Sequence, residues 1–208
     1  MLDRGSTQVI AGLTLAGLLI GAGVLGRTLP RTRGAVVAAR EPARGTEALW
    51  LVGNAIGQLW SLGVLLLPGW FYAWPGVADF TGTTELQVAG VVLWALGGGL
   101  VAWSTRTLGH FMTVRIEVTD GHRLIQEGPY AWIRHPTYTA AVASTAGLAL
   151  VFLSPPLLAL ALVLVVLARY RAGLEEDLLR SPQGFGASYD AYMVRTGRFL
   201  PRMRRASP

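Results

Sequence analysis

No cysteine and no lysine occur anywhere in this 208-residue chain. The missing cysteine excludes disulfides, thiolate metal sites and a cysteine nucleophile, and leaves the redox compartment open. Histidine is sparse: His110, His122 and His135 stand apart, with no pair at metal-ligand spacing, so no metal site is expected. Charge is scarce as well. Charged residues make up 14% of the chain and hydrophobic ones 52%, whereas a soluble domain carries roughly a quarter charged residues. With a mean hydropathy of +0.44, this composition excludes an ordinary soluble domain and indicates an integral membrane protein. All 18 basic residues are arginine and they cluster, so the net charge of +6 reflects topology and anionic headgroups rather than nucleic acid.

Five apolar segments reach the roughly 17 to 25 residues that a spanning helix needs. They run from about Thr7 to Gly26, Ala48 to Leu67, Leu86 to Thr105, Pro136 to Leu153 and Pro156 to Ala172. The first is read as a retained helix, because Arg27, Arg31 and Arg33 follow it where a signal peptide would carry a small-residue cleavage site. Ser154-Pro155-Pro156 separates the last two and forces an antiparallel hairpin, since consecutive prolines cannot continue the donor ladder of a helix.

Arginine decides the expected orientation. Arg27, Arg31, Arg33, Arg40 and Arg44 lie in the first loop, Arg106, Arg115, Arg123 and Arg134 in the third, and Arg180, Arg195, Arg198, Arg202, Arg204 and Arg205 in the tail. The connection from Leu67 to Glu85 carries only Asp79 and Glu85. The positive-inside rule then gives an outside N-terminus and a cytoplasmic C-terminus, and a bacterial inner membrane is the expected location. Gly12, Gly17, Gly21, Gly53, Gly57 and the run Gly97-Gly98-Gly99 let helix backbones approach closely in lipid. Trp50, Trp60, Trp70 and Trp74 are read as interfacial belt and packing residues.

The polar residues concentrate at the ends of the last two helices. Thr113 to Val118 alternate as a short extended piece, and Asp120-Gly121 marks a turn. Pro136 fits the first turn of the fourth helix, which puts His135 at its entrance and Tyr138 beside it. Unpaired amides there favour an anion. After the fifth helix come Glu175-Glu176-Asp177, then a helix expected over about Ala187 to Thr196 that aligns Tyr189, Tyr192 and Arg195 on one face. The hairpin should bring the two clusters together. On its own, Arg134 reads as a membrane-border anchor, and Arg202, Arg204 and Arg205 as a lipid-contacting tail.

Leu108-Gly109, His122-Arg123-Leu124-Ile125, Gly128-Pro129-Tyr130, Arg134-His135-Pro136-x-Tyr138, Glu175-Glu176 with Leu178 and Leu179, Phe185-Gly186-x-x-Tyr189-x-x-Tyr192 and Phe199-x-Pro201 follow one another in order. From Leu108 to Pro201 the chain thereby resembles the isoprenylcysteine carboxyl methyltransferase family, whose pattern is shared in part by phospholipid-amine methyltransferases. One departure is that Thr139-Ala140 follows Tyr138 where the family often has a glycine.

The resemblance implies an all-α integral membrane fold of five transmembrane helices, with the hairpin of helices 4 and 5, the connector and a C-terminal helix forming a cofactor pocket. It divides the chain into scaffold helices over 1–107 and a methyltransferase core over 108–208. It further implies S-adenosylmethionine as cofactor, bound by Gly128, Pro129, Tyr130, His135, Pro136, Tyr138, Glu175, Glu176 and Tyr189, with Glu176 favoured over Glu175 as the polar contact. Arg195 and Glu176 are the expected catalytic residues. The expected activity is transfer of a methyl group to a lipophilic small molecule or lipid-linked group entering from the bilayer, a carboxylate acceptor among the candidates. Membrane lipids are expected partners, nucleic acid is not, and oligomeric state is unread. A sterol-type reductase would instead oxidise NADPH, and a non-enzymatic scaffold would bind neither cofactor.

Overall fold

The computed structural model describes residues 1–28, 35–72, 80–113 and 115–202, and for residues 18 and 20–28 the backbone alone. The readings placed on Arg27, Arg31, Arg33, Trp74, Asp79, Val114, Arg204 and Arg205 lie outside what it describes. Seven helices are described: α1 (Arg4–Thr28), α2 (Thr46–Leu66), α3 (Pro68–Phe71), α4 (Thr83–Leu108), α5 (Pro136–Val151), α6 (Pro155–Arg180) and α7 (Ala187–Arg195). Each of the five apolar segments is helical. Three described helices are long and apolar enough to cross a membrane: α2, α4 with its extension to Phe111, and α6. At 16 residues α5 falls just short of the roughly 17 that a span requires.

The chain is not purely helical. Val36–Ala39 (β1) pairs antiparallel with Glu117–Thr119 (β2), in register Val36 to Thr119 and Ala39 to Glu117. The alternation expected over Thr113 to Val118 meets the strand only at Glu117 and Val118, and the strand's partner is a four-residue piece of the first loop. Ile116, Val118 and Leu178 are buried together beneath the pair, with Ala38 and Leu174 packed against them, so the sheet is tied to the end of α6.

The hairpin forms as expected. Leu153 takes a positive φ of 48°, Ser154 Oγ accepts from Leu157 N at 3.3 Å, and Pro155 and Pro156 occupy the first turn of α6, where their missing donors cost nothing. Around it, Val64, Leu148, Val151, Phe152 and Leu157 form one core cluster. Trp50, Tyr138, Leu164 and Leu167 form another nearer the polar end. Helix α5 is central and packs on α4, α6 and α2.

Small residues set the α4–α5 spacing. A Cβ at Gly90 would stand 2.8 Å from Gly147 O and Val151 N, and one at Gly97 would stand 2.9 Å from Ala140 O and Ser144 N. Of the run Gly97-Gly98-Gly99, only Gly97 faces the interface; Gly98 and Gly99 point into open space.

Candidate active site

Two pieces of chain, 132–139 and 196–199, lie side by side and carry the site. Ile133 and Gly197 form a parallel bridge, Arg134 N donates to Gly197 O at 2.9 Å, and His135 N donates to Arg198 O at 3.1 Å. Thr139 Oγ1 donates to Phe199 O at 2.8 Å. The C-terminal strap is thus stitched to the entrance of α5.

His135 precedes Pro136 at the start of α5 and is buried. Its Nδ1 lies 3.0 Å from Glu175 Oε2 and its Nε2 3.2 Å from Glu176 Oε1. Only the imidazolium can donate from both nitrogens. Burial alone pushes the His135 pKa down, but the hydrogen bonds and negative charges of Glu175 and Glu176 outweigh it and hold the value above the ordinary one. A raised folded pKa gives stabilisation that is complete below the unfolded value of roughly 6.5 and is lost as pH rises through the folded value. Thermal unfolding in detergent should therefore move to lower temperature as pH is taken from neutral into the alkaline range. His135→Gln should flatten that dependence, and an unchanged slope in the variant would contradict the assignment.

The two adjacent acids face different surroundings. Glu176 Oε1 also accepts from Arg134 Nε at 2.9 Å and its Oε2 from Arg198 Nη2 at 2.8 Å, leaving the side chain 8% exposed. Glu175 is 28% exposed, accepts from Tyr138 Oη at 3.2 Å and lines a cavity of about 500 Å³. This reverses the expected preference: Glu175 faces the cavity and Glu176 is the buried counter-ion behind it.

Arg134 lines the same cavity and is held by buried partners. Beyond Glu176, its Nη1 donates to Thr196 O at 2.6 Å and Met193 O at 3.3 Å, so it clamps the strap to the acid. Arg195 is a second correction. It is exposed on α7 and donates to Gln126 Oε1 at 2.9 Å, because the helix turns its Tyr189–Tyr192 face inward and leaves Arg195 outside. The arginines brought to the cluster are Arg134, Arg198 and, one turn before Glu175 on α6, Arg171.

Arg171 is 1% exposed, lines the cavity and sets its Nε 3.4 Å from Tyr138 Oη. Its position one helical turn from Glu175 was the available signal in the sequence. Trp50 likewise belongs to the site and not to an aromatic belt: its ring meets Tyr138 edge-on at 4.9 Å, and Asn54 lies one turn on in the same wall. Residues of the first hundred therefore help to build the cavity.

The remaining predicted residues divide between wall and support. Tyr130 and Tyr189 line the cavity, whereas Gly128, Pro129 and Pro136 do not. Gly128 has φ 57°, and a Cβ there would come 2.6 Å from Thr107 Oγ1, so it lets the 3-10 turn over Gly128–Ala131 lie against α4. Tyr192 Oη donates to Tyr130 O at 2.7 Å, and burial raises the Tyr192 pKa to about 12, keeping it a donor. At the outer end of the cavity, Phe111 stacks on His122 at 4.7 Å and 6°, and Phe185 meets His122 edge-on at 5.6 Å. Burial, then neighbouring His110, lowers the His122 pKa and favours the neutral ring.

This is the architecture of an integral membrane protein, and its fold is like that of one solved intramembrane methyltransferase. A solved structure of the eukaryotic intramembrane Ras methyltransferase, isoprenylcysteine carboxyl methyltransferase, aligns with a TM-score of 0.54 at 21% identity, covering 77% of this chain and 54% of that one. The family description of phospholipid methyltransferases matches residues 86–182. Protein-S-isoprenylcysteine O-methyltransferases of Homo sapiens and Rattus norvegicus are 30% and 31% identical over 130 residues, 62% of this chain. The chain spans only 44% of the length of those two relatives. The resemblance drawn from the motifs to the isoprenylcysteine carboxyl methyltransferase family is borne out by these comparisons.

Proposed function

We propose that the cavity holds S-adenosylmethionine and that the protein transfers a methyl group from it to a lipophilic acceptor drawn from the bilayer, with a carboxylate of isoprenylcysteine type as the leading acceptor. The observation that carries this reading is the partly exposed Glu175, oriented by His135 and Tyr138 at the wall of a cavity that continues between the helices.

The residues present fit such a cofactor. Glu175 offers a carboxylate to a cationic group, and the Phe111–His122–Phe185 stack and Tyr130 offer aromatic surface to a planar base. The cavity volume lies within the roughly 300–1,000 Å³ of small-molecule sites. When bound, the cofactor supplies an electrophilic methyl group carried on a sulfonium. The protein's part is to orient the partners and exclude water. Arg171 and Asn54 supply polar contacts at the inner end, where an acceptor carboxylate would meet the guanidinium. Leu51 of α2 and Val101 of α4 line the cavity and are themselves exposed, so an apolar tail has a route from lipid between these helices. The reductase and scaffold readings gain no support from the relatives found.

Detergent-purified protein is expected to bind S-adenosylhomocysteine with measurable heat, and lipid extracts incubated with isotope-labelled S-adenosylmethionine should yield a labelled lipid product. Absence of heat in well-folded protein would refute the cofactor assignment. Five spans, with α1 and α5 included, put the arginine-rich segments and the site on the cytoplasmic side. A reporter fused after Pro201 should accordingly be active only in its cytoplasmic form.

A further inference from the structure

Outside the cavity, four large apolar side chains lie exposed where the strap meets α4. Trp132 is 56%, Val194 68% and Leu200 72% exposed, and Trp103 projects from the side of α4. Two of them touch, and the other two lie on the strap bonded to one of those. Trp132 packs edge-on against Trp103 with ring centroids 5.6 Å apart, and its carbonyl accepts from Gly197 N at 3.0 Å. Val194 and Leu200 flank Gly197 by three residues on either side. The patch therefore continues the flank of a membrane-crossing helix onto a segment outside it, and Trp103 fixes its level near the end of that helix.

Arginines rim this patch. Arg106 is exposed three residues beyond Trp103, on the same face of α4. Arg195 donates to the neutral Gln126 Oε1, and Arg202 Nη1 donates to Val194 O at 2.6 Å, so neither of these contacts is an ion pair. Aromatic and aliphatic side chains at the level of a helix end, bordered by cations, match the boundary between acyl chains and anionic headgroups.

We infer that this face of the strap is a seat for anionic phospholipid, with Trp103, Trp132, Val194 and Leu200 against acyl chains and Arg106, Arg195 and Arg202 on phosphodiester groups. The seat is coupled to the interior through three contacts already described: Ile133 with Gly197, Arg134 with Thr196 O, and Arg198 with Glu176. Anionic lipid thus holds the strap closed over the ion cluster, whatever ligand the cavity takes.

The test uses the whole protein in nanodiscs of phosphatidylcholine alone or with about a third phosphatidylglycerol, read by hydrogen exchange of the 193–200 amides. Phosphatidylglycerol is expected to slow exchange there about threefold or more, and the combined Arg106→Gln, Arg195→Gln, Arg202→Gln variant should lose the difference. The corresponding Arg→Lys variant should regain it, which separates charge from a folding defect. Inorganic phosphate added to phosphatidylcholine discs should not reproduce the effect. Equal exchange in the two lipids, or a phosphatidylglycerol effect that survives the Gln substitutions, would overturn the inference. Neither outcome depends on cofactor binding, so this result stands apart from that of the methyl-transfer reading.

Discussion

Glu176→Ala is expected to remove the fold of the C-terminal half and not simply ligand binding. Three cationic groups converge on this one buried carboxylate: Arg134, His135 and Arg198. Removing a single member of a buried ion pair costs about 3–5 kcal/mol, because its partner stays buried without compensation. Against a net stability of about 5–15 kcal/mol, that is a large fraction. All three stranded groups belong to the stitched segments themselves, so the strap should detach from the entrance of α5. The expected result is a sharp fall in monodisperse yield and in melting temperature in detergent. Glu175→Gln should behave differently: it stays oriented by Tyr138, keeps the fold, and weakens S-adenosylhomocysteine about tenfold or more, as expected for a lost contact to a charged group. Wild-type melting of Glu176→Ala would refute the division of labour between the two acids.

The second large effect concerns α4 and α5. In a helix interior, Gly→Ala ordinarily gains about 1 kcal/mol in propensity. At Gly90 and Gly97 the added methyl meets backbone, which cannot rotate away as a side chain can, so the sign should reverse. Overpacking of about 1–3 kcal/mol per site is expected, and the double variant Gly90→Ala, Gly97→Ala should unfold well before the wild type. Gly98→Ala and Gly99→Ala, which face open space, are the internal controls and should melt at or above the wild-type temperature. Equal effects at Gly97 and Gly98 would show that close approach is not what these residues provide.

Much of this was legible in the chain. The five helices follow from apolar run length, and the hairpin from Ser154-Pro155-Pro156, because both depend on local chemistry. Helix α7 and the inward Tyr189–Tyr192 face were readable for the same reason. What escaped were choices made by packing. Glu175 and Glu176 are neighbours with identical chemistry, and only the rotation of α6 against α5 decides which faces the cavity. Arg134 and Arg195 were read in the wrong environments because an arginine near a helix end looks the same whether it clamps carbonyls or meets solvent. Strand β1 was hidden by its brevity, since four residues in a loop acquire strand character only through a partner about eighty residues away.

The shortness of α5 bears on depth. At 1.5 Å per residue its 16 residues rise about 24 Å, whereas the hydrocarbon slab is about 30 Å thick. With the Ser154 hairpin at one interface in the five-span arrangement, the His135 end stops several ångströms inside the other. On that proposed arrangement the ion cluster would lie at the level where acyl chains end, in a medium of lower dielectric than the surrounding water. Under the proposed methyl transfer, an amphipathic acceptor would then react without being lifted out of the membrane, its tail still solvated by lipid, so the cost of extracting it would not enter the barrier.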